Sequence, residues 1–275
     1  MLKLRVITAL ILLAGFLAAL LFLPPFGWLI FSAGVGAVGA WEWGGLAGWR
    51  IPARGVFAAS VAGIVGGMGV AAGLNLPAPS GHPMLRGVYA LAMVFWLAVV
   101  PMWLSRKWRL QSVPVAVLVG LVVLVAPALA LAHLRQIGPG FLFWSMGAVW
   151  LADIGAYFSG RAWGRHKLAP NISPGKTWEG AIGGAALVVA YGIGMILWSG
   201  WLGGSVSKLL LFAVGLIGFA ALSVQGDLFE SLLKRQAGIK DSGQILPGHG
   251  GVLDRIDSLT STLPLVGLAI LYALP

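Results

Sequence analysis

Runs of roughly twenty apolar residues, long enough for an α-helix to cross a bilayer, recur along the chain and are separated by short polar segments. The pattern predicts nine helical spans, over residues 4–23, 26–47, 55–75, 87–104, 114–133, 139–160, 178–198, 206–233 and 253–273. The first run follows Lys3 and Arg5, as the core of a signal peptide would. Pro24 and Pro25 stand where a small-residue cleavage site is needed, so it reads as a retained span.

The loops between these runs carry the charge. With the N-terminus in the cytoplasm, alternating loops place fifteen lysines and arginines on the cytoplasmic side and three (Arg86, Arg135 and Lys208) on the other. That is the positive-inside asymmetry of an inserted helical protein. Composition agrees, with 59% hydrophobic and only 9% charged residues, where a soluble domain carries about 25% charged residues. The net charge of +10 resides in short inter-span loops, which argues for an orientation signal and against nucleic acid as partner. The absence of cysteine excludes disulfides and thiolate metal sites. The fold class expected is therefore all-α: one polytopic integral membrane domain over 1–275. Within it, 1–150 are glycine-rich hydrophobic helices, 151–258 hold the polar blocks, and 253–273 form the last span.

The 41 glycines fit close helix packing through small faces. The thirteen tryptophans, several near span ends, fit interfacial anchoring.

Seven of the eight acidic residues fall between Asp153 and Asp257, and the first 150 residues contain only Glu42. Glu42, Asp153 and Asp227 each precede a cytoplasmic arginine or lysine by seven or eight residues, about 10–12 Å along a helix. Asp254 and Asp257 approach the same layer from the start of the last span. Intramembrane acids are costly and face a cavity or a partner. For Glu42 the simplest expectation is helix docking against a lysine or arginine.

Helical spacing places Ser223, Asp227, Glu230, Ser231 and Lys234 on one stripe, and Asp254, Asp257, Ser258 and Ser261 on another. Two such faces suit a magnesium ion, which takes one or two carboxylates together with substrate phosphate oxygens. The connecting segment, "AGIKDSGQILPGHGG", offers glycine amides, Lys240, Asp241 and His249 to an anion. A second polar stretch, Arg161 to Gly180, contains "PGKT". It is no P-loop, because Pro170 stands where that motif needs glycine and no strand is predicted before it. Ser173, Lys176 and Thr177 are nevertheless candidate phosphate contacts, Thr177 also a candidate helix cap.

The run "GDLFESLLKRQAGIKDSGQILPGHGGVLDRIDS" resembles the signature of the phosphatidate cytidylyltransferases, the CDP-diacylglycerol synthases. The likeness is carried by Ser231, Lys234, Arg235, Lys240, Asp241, Pro247, His249, Gly250, Gly251, Asp254, Arg255 and Asp257, with no departure at the charged positions. "DIGAYFSGRAWGRHKLAPNISPGKTWEG" is similar to the family's second block, whereas the N-terminal half is alike only in being hydrophobic. The resemblance implies that CTP and phosphatidate give CDP-diacylglycerol and pyrophosphate, for phospholipid synthesis, with magnesium on Asp227 and Asp254 and a potassium ion beside it. It implies an enzyme of the bacterial inner membrane, among membrane lipid, working at the cytoplasmic face, with a homodimer as a further expectation. Catalysis is then expected from Asp227, Asp254, Lys234 and Arg235. Substrate binding is expected from Asp153, Ser173, Lys176, Thr177, Ser231, Lys240, Asp241, His249, Arg255 and Asp257.

Other classes fit less well. A cation-coupled transporter needs polar groups reaching the outer side, and the acids here keep to one layer. A CTP-dependent lipid alcohol kinase would share nucleotide and magnesium but release CDP. A purely structural membrane protein leaves the two polar blocks without a purpose.

Overall fold

The computed structural model describes residues 2–200 and 205–273. The side chains of Lys3 and Arg5, two of the fifteen expected inward-side cations, lie outside those described. Helices α1 (Leu2–Phe22), α2 (Pro25–Leu46) and α3 (Ile51–Ala71) come first. Then α4 (Pro83–Val94) runs through a π-helical turn, Phe95–Val99, into α5 (Val100–Arg106). The turn stands just before Pro101, whose missing N–H leaves a carbonyl one turn earlier unsatisfied, and π geometry absorbs that irregularity. Next come α6 (Val113–Ile137) and α7 (Pro139–Trp163), a hairpin of β1 (Lys167–Ala169) and β2 (Ser173–Thr177), α8 (Trp178–Ser199), α9 (Val206–Gln236) and α10 (Leu253–Ala273).

The all-α polytopic class is what the structure displays. Every predicted span coincides with a helical rod, and among the described residues seven rods are long and apolar enough to cross a membrane: α3, the α4–α5 rod and α6 to α10. In α1 the side chains described are those of Val6–Phe22. The six glycines and the buried Glu42 of α2 dilute its apolar character.

Within the polar stretch Arg161–Gly180, where the sequence predicts no strand before "PGKT", the chain forms an antiparallel hairpin, pairing Lys167 with Thr177 and Ala169 with Ser173. The hairpin is tied to α8 by Glu179, whose carboxylate accepts from the His166 amide and lies 2.6 Å from His166 Nδ1. The His166–Glu179 contact spans thirteen residues of sequence, beyond what local propensity records.

Two packing features position the polar helices. Phe229 on α9 sits in an aromatic cage, 5.6 Å from Trp103, 5.7 Å from Trp96 and 5.8 Å from Phe95 between ring centroids. Trp28, Trp43 and Trp96 are wholly buried, so these are core residues and not the interfacial anchors expected of the tryptophans. Trp28 and Trp43 satisfy their indole N–H groups on the carbonyls of Leu131 and Ala116 of α6, each at 3.0 Å. Small residues bring the other contacts close: a Cβ added to Gly184 of α8 would lie 2.6 Å from the Ala152 carbonyl of α7. One added to Gly226 of α9 would lie 2.5 Å from the Asp257 carbonyl of α10.

Candidate active site

The two polar stripes face each other. Ser258 and Ser261 of α10 donate to the carbonyls of Ser223 and Leu222 of α9, at 3.0 and 2.7 Å. One and two turns further toward the loop, carboxylates and lysines replace the hydroxyls. Lys234 Nζ lies 2.6 Å from Asp254 Oδ1 and 3.1 Å from Glu230 Oε1, with all three side chains largely buried. Asp257 lies within electrostatic range of Asp227, Lys234 and Asp153. Such a cluster persists in a low-dielectric setting only when charges are paired.

A second ammonium arrives from the hairpin. Lys176 on β2 reaches Asp227 Oδ2 at 2.6 Å, while Ser231 donates to Oδ1 at 3.1 Å. Here β2 ends in Thr177, which caps α8 by accepting from the Gly180 amide at 3.1 Å. Lys176, Asp153 and Asp227 line a cavity of about 530 Å³ together with Ser173, Thr177, Tyr157 and Arg161. Its remaining walls are small apolar faces of α7, α8 and α9, among them Ala156, Gly184, Ala185 and Val224. Arg161 Nη1 donates to the Tyr157 hydroxyl at 3.0 Å, which holds that guanidinium along the cavity wall.

The segment between α9 and α10 forms a second cavity of about 630 Å³, lined by Lys240, Asp241, His249 and Arg255 among loop residues. Its tight turn closes through Leu246 N to Gly250 O and His249 N to Leu246 O, both at 2.9 Å. Gly248 and Gly250 take φ of +76° and +80°, a region in which a side chain is strained. Arg255 grips the turn from α10, donating from Nε and Nη2 to the His249 carbonyl at 3.1 and 2.7 Å. Asp254 grips it from within: its Oδ2 accepts from Gly251 N at 2.8 Å and from the Ser242 amide and hydroxyl, each at 2.9 Å. The turn, histidine and aspartates of "LPGHGGVLDRID" are thus one hydrogen-bonded unit.

The candidate residues therefore fall into two groups. Asp153, Ser173, Lys176, Thr177 and Asp227 meet at the interhelical cavity, with Ser231 on Asp227 and Asp257 nearby. Lys240, Asp241, His249 and Arg255 meet at the loop cavity. The Lys234–Asp254 pair, which joins α9 to α10, lines neither cavity, and Arg235 lies exposed on α9 and also lines neither. Sequence reasoning left out Glu42, Ser242 and Arg161 as site residues. Among the described residues Glu42 docks on no lysine or arginine. It accepts from the amides of Val252 and Leu253 at the start of α10. Its isolation among apolar residues was the only signal available, because its partners are backbone groups about 210 residues away.

The donor set bears on a divalent cation. Asp153, Asp227, Glu230, Asp254 and Asp257 neighbour one another and face two ammonium groups, Lys176 and Lys234. That excess of negative charge suits a hard cation. No preformed group of three ligands exists among the described residues. The oxygens of Asp227 face the cavity, whereas Asp254 reaches a cation only by releasing Lys234.

The fold and this site define a polytopic helical membrane protein with a charged site between helices and at one end of them, suited to anionic substrates. The Cytidylyltransferase family model matches residues 3–273, and the chain belongs to that family. It is 41% identical to a phosphatidate cytidylyltransferase of Pseudomonas aeruginosa, over 99% of this chain and 98% of that one. It is 37% identical to that of Haemophilus influenzae, over 96% of both chains, and 50% identical over 147 residues to that of Brucella suis, covering about half of each. The family likeness thus extends through the N-terminal half, which the motifs alone had not tied to it.

Proposed function

We propose that this chain is a phosphatidate cytidylyltransferase, joining the phosphate of phosphatidate to the cytidylyl group of CTP with release of pyrophosphate. The observation that carries the reading is the pair of cavities, one walled in part by α9 and one lined by Arg255 of α10, the two helices that the Lys234–Asp254 pair joins. One is walled by apolar helix faces with Lys176 and Arg161 along it, as suits a phosphate on two acyl chains. The other is a polar loop with Lys240, His249 and Arg255, as suits a nucleotide polyphosphate. The names of the full-length relatives support the same substrates.

The reaction needs positioning more than a base. The phosphatidate phosphate is already an anion, and one of its oxygens attacks the α-phosphorus of CTP. The new P–O bond forms as the bond from the α-phosphorus to the α–β bridging oxygen breaks, and that oxygen leaves with pyrophosphate. Two anionic reactants repel, so holding them together and neutralising them supplies the acceleration. Lys176 and Arg161 hold the lipid phosphate, and Lys240 and Arg255 hold the β and γ phosphates. Asp227, with Asp257 near it, would hold magnesium, and Asp254 would join them on releasing Lys234. When bound, magnesium supplies charge neutralisation at the transferring phosphoryl group; a potassium ion beside it belongs to the same proposal.

The same proposal places the site at the cytoplasmic face of the inner membrane, with nine spans and the N-terminus inside. The fifteen-to-three division of basic residues supports it. Association into a homodimer rests on the resemblance alone. The deciding assay incubates purified protein with labelled CTP, phosphatidate and magnesium. Liponucleotide with pyrophosphate is expected, CDP would indicate a lipid kinase, and neither product would refute the reading.

A further inference from the structure

We infer that Glu42, in the glycine-rich half of the chain, is a positioning residue that holds the α9–α10 loop in its nucleotide-binding shape; this rests on the transfer reading above. Glu42 is wholly buried on α2. Its Oε1 accepts from the Val252 amide at 3.0 Å, and its Oε2 accepts from the Leu253 amide at 2.7 Å. The Ser242 hydroxyl lies 3.3 Å from Oε2, but its single proton serves Asp254 Oδ2 at the shorter 2.9 Å. Among the described residues no lysine, arginine or histidine lies within ion-pair distance of Glu42. A buried carboxylate is costly without partners, so the loop amides and the positive end of α10 are what stabilise it.

The loop is shaped around this carboxylate. A Cβ added to Gly251 would lie 2.6 Å from both Glu42 oxygens, and one added to Gly243 would collide with Oε1. Glycine stands at both positions where the chain wraps the side chain. Gly251 and Ser242 donate to Asp254, so two neighbouring carboxylates hold successive amides of the loop. Lys240, Asp241 and His249 belong to this segment. Lys176, Arg161 and Asp227 belong to β2, α7 and α9 and line the other cavity. A loosened loop should therefore weaken nucleotide binding and spare lipid binding, a split that a general packing defect would not produce.

The test compares wild type, Glu42→Gln and Glu42→Asp as full-length purified protein. Hydrogen exchange is read at 242–253, and steady-state rates are read with CTP and phosphatidate varied separately. In Glu42→Gln an amide nitrogen must face a backbone N–H that now meets oxygen. Exchange at Val252 and Leu253 is expected to accelerate at least tenfold and KM for CTP to rise at least fivefold, with KM for phosphatidate within twofold. Glu42→Asp, which keeps both acceptors on a shorter arm, should fall between. Unchanged exchange, faster exchange with unchanged kinetics, or an equal rise in both KM values would each overturn the inference. If wild type made no liponucleotide, the transfer reading would fall by itself, and unchanged exchange would still refute Glu42 as the holder of the loop.

Discussion

Lys234 Nζ lies 2.6 Å from Asp254 Oδ1, joining the end of α9 to the start of α10 across the loop that both helices frame. The same ammonium serves Glu230 at 3.1 Å, so one lysine neutralises two largely buried carboxylates. Its removal should cost stability as well as activity. Deleting one partner of a buried ion pair costs about 3–5 kcal/mol, because the other charges are left uncompensated. Lys234→Met is expected to lower the unfolding temperature in detergent by several degrees. A variant as stable as wild type would mean that Glu230 and Asp254 find other partners.

Asp227 and Asp254 should separate by stability. Asp227 faces the cavity and bonds Lys176 and Ser231, so Asp227→Asn should abolish turnover and leave thermal stability close to wild type. Asp254 accepts three loop donors on one oxygen. Asp254→Asn should therefore abolish turnover and also speed proteolysis of the loop. Near-normal activity at limiting magnesium in either variant would eliminate that residue as a metal ligand.

The cations of the two cavities should divide between the substrates. Lys176→Ala should raise KM for phosphatidate, and Lys240→Ala and Arg255→Ala should raise KM for CTP. Each lost charge-assisted hydrogen bond is worth about 1.5–3 kcal/mol, roughly tenfold to a hundredfold in kcat/KM. Arg255→Lys should not be silent, because an ammonium cannot reproduce the forked contact with the His249 carbonyl. If all of these variants stayed within twofold of wild type for both substrates, the basic rim would serve insertion only.

Phe229 offers a test of the scaffold apart from the chemistry. Emptying its cage of Phe95, Trp96 and Trp103 should cost about 3–5 kcal/mol and shift Asp227 and Glu230, its neighbours on α9. Phe229→Ala is expected to lose stability and activity together, and Phe229→Leu to recover most of both. Unaltered melting in Phe229→Ala would show that α9 is held elsewhere.

A reporter fused after Pro275 checks the topology. Nine spans with an internal N-terminus put that fusion outside, and a cytoplasmic signal would refute the span count or the orientation.

The helices and the family were legible in the sequence by itself, and for a physical reason. A bilayer demands about twenty apolar residues per crossing, and helical periodicity alone places Asp227 with Ser231 and Lys234, or Asp254 with Asp257 and Ser258. Both are local properties of a chain, and the loop signature is local too. The tertiary structure decided what is non-local. It set the two polar stripes against each other, folded Lys176 back onto Asp227 through a hairpin, and divided one expected site into two cavities. It also buried Glu42 against amides of the α9–α10 segment, whose donors belong to the backbone and carry no residue type for a sequence to display. Partners separated by about 50 to 210 residues meet only when helices pack, and packing depends on the shapes of all the faces at once.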